Sequence, residues 1–154
     1  MCWCFFCLCI YPGGVDDGCM ETLLEEFLVR MSDEVGNSSL WTKGQEQQYN
    51  LYCGDVVVSV KWLEPGLLLN ARLGELPKKN LESFFIEIMQ ANYLGMGTGR
   101  SVIGLDPAEK FLTLSHLIPY EVNYTLFKDT IEAFLNYHAC WEEKIKKFIE
   151  EAGE

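Results

Sequence analysis

Leu81-Glu82-Ser83-Phe84-Phe85-Ile86-Glu87-Ile88-Met89-Gln90-Ala91-Asn92-Tyr93-Leu94-Gly95-Met96-Gly97-Thr98-Gly99-Arg100-Ser101-Val102-Ile103-Gly104-Leu105 reads as a helix, a glycine-rich break and a strand. Leu81, Phe84, Phe85, Ile88 and Met89 recur at i, i+3, i+4, i+7 and i+8, the spacing of one buried helical face. Gly95, Gly97 and Gly99 then end the helix, because glycine takes positive φ cheaply at a C-terminal cap and in the turn after it. Two adjacent phenylalanines on the buried side, followed by a loop with little side chain, suit packing against a second copy. No catalytic group lies in this stretch.

Working outward, three strand candidates precede the helix. Tyr49 to Cys53 meets a turn at Gly54-Asp55, and Val56 to Trp62 is β-branched and broadly alternating. Glu64-Pro65-Gly66 makes the next turn, and Leu67 to Leu73 runs back as the third strand of an antiparallel meander. Downstream, Val102 to Leu105 and Phe111 to Leu117 form a hairpin around Asp106-Pro107-Ala108-Glu109-Lys110, closed by Pro119. Asn123 is the expected N-cap of a last helix reaching towards Glu151, with a seam of Phe127, Ile131, Phe134, His138, Trp141, Ile145 and Phe148. A first helix runs from Met20 to Val35 on Leu23, Leu24, Phe27, Leu28, Met31 and Val35. Glu21, Glu25 and Glu26 lie in its first turns, where the helix dipole favours negative charge. The expected fold is α+β, an antiparallel twisted sheet of about five strands with three helices in the order α-β-β-β-α-β-β-α, dimeric, as one domain over 20–154.

Residues 1–19 stand apart. Met1 to Pro12 is apolar and rich in Cys and Phe, yet it lacks the basic start and small-residue cleavage site of a signal peptide and is too short for a membrane span. Cys2, Cys4, Cys7 and Cys9 could ligate a soft metal in principle, which keeps a Cys-rich metal- or thiol-binding protein as an alternative. No nearby His or second Cys pair completes a standard site, so the expectation is no metal and no cofactor. The preferred reading places the functional start at Met20, with 1–19 a non-domain leader. Cys53 and Cys140, isolated in the rest of the chain, read as reduced thiols.

Composition bounds the function class. A chain of 154 residues with 49% hydrophobic and 13% aromatic residues is globular and fits one domain. Its net charge of −11 argues against nucleic acid and against anionic membrane surfaces as partners. The same acidity suits holding sticky or basic polypeptide in solution, or simply keeps the protein soluble. His116 and His138 have no ligand or triad spacing, and His138 on the last seam reads as structural. The carboxylates fall at helix ends and on solvated faces such as Glu142, Glu143, Glu150 and Glu151. The glycines of 95–99 follow a helix and open a strand, the reverse of a phosphate-binding loop. What remains is more aromatic area, including Trp41, Trp62, Trp141, Tyr49, Tyr52 and Tyr93, than one compact core easily hides.

These elements, together with four local motifs, resemble the class I type III secretion chaperones of the Tir-chaperone type. The matching text is Gly66-Leu67-Leu68-Leu69-Asn70-Ala71-Arg72-Leu73-Gly74-Glu75-Leu76-Pro77, then Met89-Gln90-Ala91-Asn92-Tyr93-Leu94-Gly95 with Gly97-Thr98-Gly99. Ile103-Gly104-Leu105-Asp106 follows, and then Leu112-Thr113-Leu114-Ser115 before Leu117-Ile118-Pro119. The resemblance covers Met20 to about Phe148. It implies a non-enzymatic escort of the bacterial cytoplasm that binds the N-terminal region of a secreted effector or gate protein in extended form, without ATP. It also implies two protomers joined largely through the second helix, giving Phe84, Phe85, Ile88, Met89, Asn92 and Val102 as the dimer interface. Tyr93 and Met96 are bulky departures around the glycine loop, so a heterodimer with a related chaperone is as open as a homodimer. Strand addition at a sheet edge and apolar grooves are the expected binding mode, with Leu24, Phe27, Leu28, Met31, Val58, Val60 and Trp62 as client-binding candidates. A regulatory protein that binds a transcription component through the same surfaces is a further alternative.

Overall fold

The computed structural model describes residues 17–45, 47–63, 66–119 and 121–153, and side chains from residue 21 onward. The leader cysteines, the Glu64-Pro65 turn and the expected boundary between leader and domain fall wholly or partly outside that set. The elements are α1 (Asp17–Val35), β1 (Trp41–Lys43), β2 (Gln48–Cys53), β3 (Val56–Leu63), β4 (Gly66–Glu75), α2 (Leu81–Asn92), a 3-10 turn at Tyr93–Gly95, β5 (Val102–Leu105), β6 (Phe111–Pro119) and α3 (Tyr124–Glu151). All pairings are antiparallel and the sheet order is β1-β2-β3-β4-β6-β5. The α+β fold with three helices is as expected, and the sheet has six strands.

The additional strand is β1. Three residues are too few to show a period, so pattern reading passes over them; β1 exists because β2 offers it a partner, with Trp41 opposite Leu51 and Lys43 opposite Tyr49. Its charges then tie it to α1. The Lys43 ammonium lies 2.6 Å from the Glu21 carboxylate and 3.0 Å from that of Glu25, and the Tyr49 hydroxyl donates to Glu25 at 2.7 Å.

Lys43, then Tyr49, hold Glu21 below the usual carboxylate range; for Glu25 the order is reversed. Lys43 is raised in turn, by Glu21 first and then Glu25. Groups whose folded pKa is depressed stabilise the fold above their unfolded value and lose that contribution as pH falls through the folded one. Acid is therefore expected to release β1 before the rest of the sheet melts. The check is amide exchange at Tyr52, whose N–H donates to the Leu40 carbonyl at 2.7 Å. Its protection should fall at a pH below the ordinary glutamate value, ahead of protection in β4.

Register explains which side of the sheet is covered. Tyr49, Leu51, Val58, Val60, Leu67, Leu69, Ala71, Leu114 and Ile118 alternate onto one face and are buried under α1 and α3, whereas Asn50, Ser59, Asn70, Ser115 and Thr113 alternate onto the other. The seam of α3 is as expected: Phe127, Ile131, Phe134, His138, Trp141 and Ile145 are buried, and Asn123 Oδ1 accepts the Leu126 N–H at 2.9 Å. His138 meets the Arg72 carbonyl through Nε2 at 2.7 Å, where β4 shifts register between Arg72 and Gly74. It donates there, so the residue is a backbone clamp, which agrees with its structural reading.

Candidate functional site

Helix α2 is amphipathic, but its two faces divide the expected interface. Phe84 and Ile88 are buried, and the Phe84 ring stacks at 4.9 Å centroid distance on Phe148 of α3. Those two residues belong to the protomer's own core, which corrects their assignment to a contact with a second copy. Phe85 is half-buried. Met89 is 72% exposed and Val102 is also exposed, so both are free to meet a partner.

Asn92 has a different role from the one expected. Its side-chain amide donates to the Ile103 carbonyl and its oxygen accepts the Ile103 N–H, both at 2.9 Å. One side chain thus satisfies both backbone groups of a β5 residue and clamps the end of α2 to the sheet's edge strand. Asn92→Ala should cost about 1–3 kcal/mol in chemical denaturation, because both groups lose their partner, and should speed amide exchange at Ile103.

The loop after α2 is the part that sequence reasoning judged differently. Its glycines face the protomer. The Trp141 indole N–H donates to the Gly97 carbonyl at 2.9 Å. Gly99, at φ +60, lies so close to Tyr137 that a Cβ there would sit 2.1 Å from the ring. With Gly97 and Gly99 held against α3, the large residues Tyr93, Leu94 and Met96 around them point away, being 67%, 77% and 78% exposed. Leu94 is held at φ +53, a left-handed conformation costing a branched residue about 1–2 kcal/mol. Ile86 and Leu105 add further exposed apolar surface to α2 and β5. Tyr93 and Met96 carried a signal in the sequence as bulky departures; Leu94 and Ile86 carried none, because one residue's rotation on a helix or turn decides their side.

The expected client-binding set falls largely inside the fold. Leu24, Phe27, Leu28 and Met31 of α1 and Val58 and Val60 of β3 are buried against each other and α3, and only Trp62 is half-exposed. A client cannot touch the buried six while the protomer stays closed. Their apolar spacing reported the core, since a helix packed on a sheet presents the same periodicity as a helix facing a groove.

Among the described residues no group of three or more His, Cys, Asp or Glu could hold a metal, and no helix is long and apolar enough to cross a membrane. Cys53, half-buried, has its thiol pushed up by burial, and Cys140 is exposed; both are free. His116, which the sequence left without a partner, meets Ser101: Nδ1 and Oγ are 3.1 Å apart. Burial, and then the Arg100 charge, lower the His116 pKa. Ser101 is only 2% exposed, so the pair joins the start of β5 to β6 and does not present a nucleophile.

An α+β protomer with helices over one sheet face and an apolar, side-chain-rich helix end at its edge is a binding scaffold. The chain matches the Tir chaperone protein (CesT) family over residues 41–142, and it belongs to that family. Several solved structures share its fold. It is similar to a chain of the HopA1–SchA chaperone–effector complex, with TM-score 0.64 and 16% identity over 84% of this chain and 99% of that one. Similar values hold for the ExsC–ExsE complex, with TM-score 0.67 and 16% identity over 82% and 96%. The Yersinia pestis type III secretion chaperone SycH, in complex with a fragment of YscM2, gives TM-score 0.56 and 19% identity over 79% and 98%. No curated protein sequence matches the chain.

Proposed function

We propose that this protein is a dimeric type III secretion chaperone of the bacterial cytoplasm. It holds the N-terminal region of a secreted effector or gate protein in extended form and performs no chemistry on it. Family membership supports the chaperone class, and the fold shared with chains from chaperone–effector complexes is consistent with it. The observation that carries the dimer is the exposed set Met89, Tyr93, Leu94, Met96 and Val102 around the clamped end of α2. Surface of this kind on a lone protomer marks a protein contact. A segment that would otherwise collapse or aggregate needs only apolar surface and open strand edges to stay extended, so ATP has no part in the process.

The test is affinity capture of the full chain from its native cell, with mass spectrometry of what accompanies it and sedimentation analysis of the complex. The expected result is two chaperone copies, or one copy and a related chaperone, with one secreted protein held near its N-terminus. A monodisperse single copy that carries no secreted protein would overturn the proposal.

A further inference from the structure

Methionine sulfur is distributed unevenly over this protomer. Among the residues whose side chains are described there are three methionines, and Met31 of α1 lies in the core at 7% exposure. Met89 and Met96 are 72% and 78% exposed. These two share one place in the fold. Met89 is in the last turn of α2, and Met96 follows the 3-10 turn at Tyr93–Gly95, where its N–H donates to the Tyr93 carbonyl at 3.2 Å. The clamps that hold this corner are Asn92 on Ile103 and Trp141 on the Gly97 carbonyl, and they use neither methionine side chain. A chemical change at either sulfur therefore alters the surface and leaves its frame intact.

A thioether needs no deprotonation to react with a peroxide, so its reactivity follows its exposure. Oxidation turns a flexible apolar side chain into a polar, chiral sulfoxide, which methionine sulfoxide reductases convert back. On a solvated surface that change costs the fold little. In an apolar contact the sulfoxide oxygen must give up its water without gaining a donor.

We propose that Met89 and Met96 form a reversible oxidation site that governs assembly: a hydroperoxide acts on the free protomer, and the protomer bearing both sulfoxides no longer makes the apolar contact. A sulfur lone pair forms the new S–O bond as the peroxide O–O bond breaks. The proton on the transferred oxygen passes to the departing hydroxide, which leaves as water. Sulfur loses two electrons and the peroxide gains them. A second copy seated on this corner covers both sulfurs, so the dimer protects the site and the reaction draws on dissociated protomers. The selectivity for Met89 and Met96 over Met31 rests on exposure alone, whereas the consequence for assembly rests on the dimer proposed above.

The probe is hydrogen peroxide applied to the full chain, followed by dithiothreitol, which returns disulfides and sulfenic acids to thiols and leaves sulfoxides in place. Peptide mass spectrometry then locates the added oxygen, and sedimentation equilibrium gives the dimer dissociation constant. Met89 and Met96 should oxidise at least about tenfold faster than Met31, whose sulfur is reached only when the core opens. Their rate should rise as the protein is diluted through the dissociation constant. Oxidation of both should weaken self-association about tenfold or more, and methionine sulfoxide reductases should restore it. The double variant Met89→Leu with Met96→Leu keeps every cysteine and an apolar surface, so it should dimerise and be indifferent to peroxide. A double variant that loses its dimer to peroxide as the parent does would assign the effect to the thiols and overturn the site. Met31 oxidised as fast as the other two would also overturn it. A dimer unmoved by complete oxidation of both sulfurs sinks the site and leaves the dimer standing. An untreated chain that is a monomer at every concentration sinks the dimer and the control together.

Discussion

Met89→Asp leaves the protomer folded and drives it to a monomer. Met89 is largely exposed, so its replacement removes little from the protomer core; the circular dichroism spectrum should be unchanged, and the unfolding free energy, compared at concentrations where both proteins are monomeric, should stay within about 0.5 kcal/mol of the parent. In the proposed dimer the same side chain sits at the centre of an apolar contact with Tyr93, Leu94 and Met96. A carboxylate there must give up its water without gaining a partner. Self-association should weaken at least a hundredfold, about 3 kcal/mol or more, by sedimentation equilibrium. Leu94→Asp should act in the same direction. Phe84→Ala supplies the contrast: its ring is in the core, so it should destabilise the protomer itself. A Met89→Asp protein that remains a dimer would place the contact elsewhere on the surface.

Trp141→Ala should be the most damaging single change in α3. The indole is 2% exposed and its N–H holds the Gly97 carbonyl, so the substitution opens a cavity in the seam and releases the glycine loop together. A large aromatic truncated in a core costs about 3–5 kcal/mol, read from urea unfolding. Trp141→Phe retains most of the ring and loses only the bond, and should cost far less. Loss of the loop's anchor has a second consequence, because Leu94 and Met96 are directed outward by glycines pressed onto α3. Trp141→Ala should therefore weaken the dimer even at temperatures where the protomer is folded. Stability unchanged in Trp141→Ala, or dimerisation indifferent to it, would separate the loop from the interface.

How the sequence anticipates this protein differs from element to element. The α3 seam was readable, because a run of buried aromatic and aliphatic side chains over about six turns has a period that short irregularities cannot mask, and Asn123 stands where a cap is needed. The β3–β4 and β5–β6 hairpins were readable from β-branched alternation and turn residues. Strand β1 was not, since its three residues have meaning only beside β2. The interface was half readable. Phe84, Ile88 and Met89 obey one helical period, yet the first two are buried in the protomer and the third faces away, and nothing in the spacing says where the core ends. The client set failed for the same reason: Leu24, Leu28, Val58 and Val60 are apolar because they are core.

The order of elements, the helical and strand periods, the cap at Asn123 and the acidity all follow from local residue choice, and with them the α+β class and the likeness to the chaperone family. Only the tertiary structure decided which side of α2 is outside, that Gly97 and Gly99 serve α3 while Leu94 and Met96 are turned outward, and that Met31 is covered where Met89 is open. Periodicity reports that a face is apolar, whereas exposure depends on what happens to pack against it, and that is settled by residues distant in the chain.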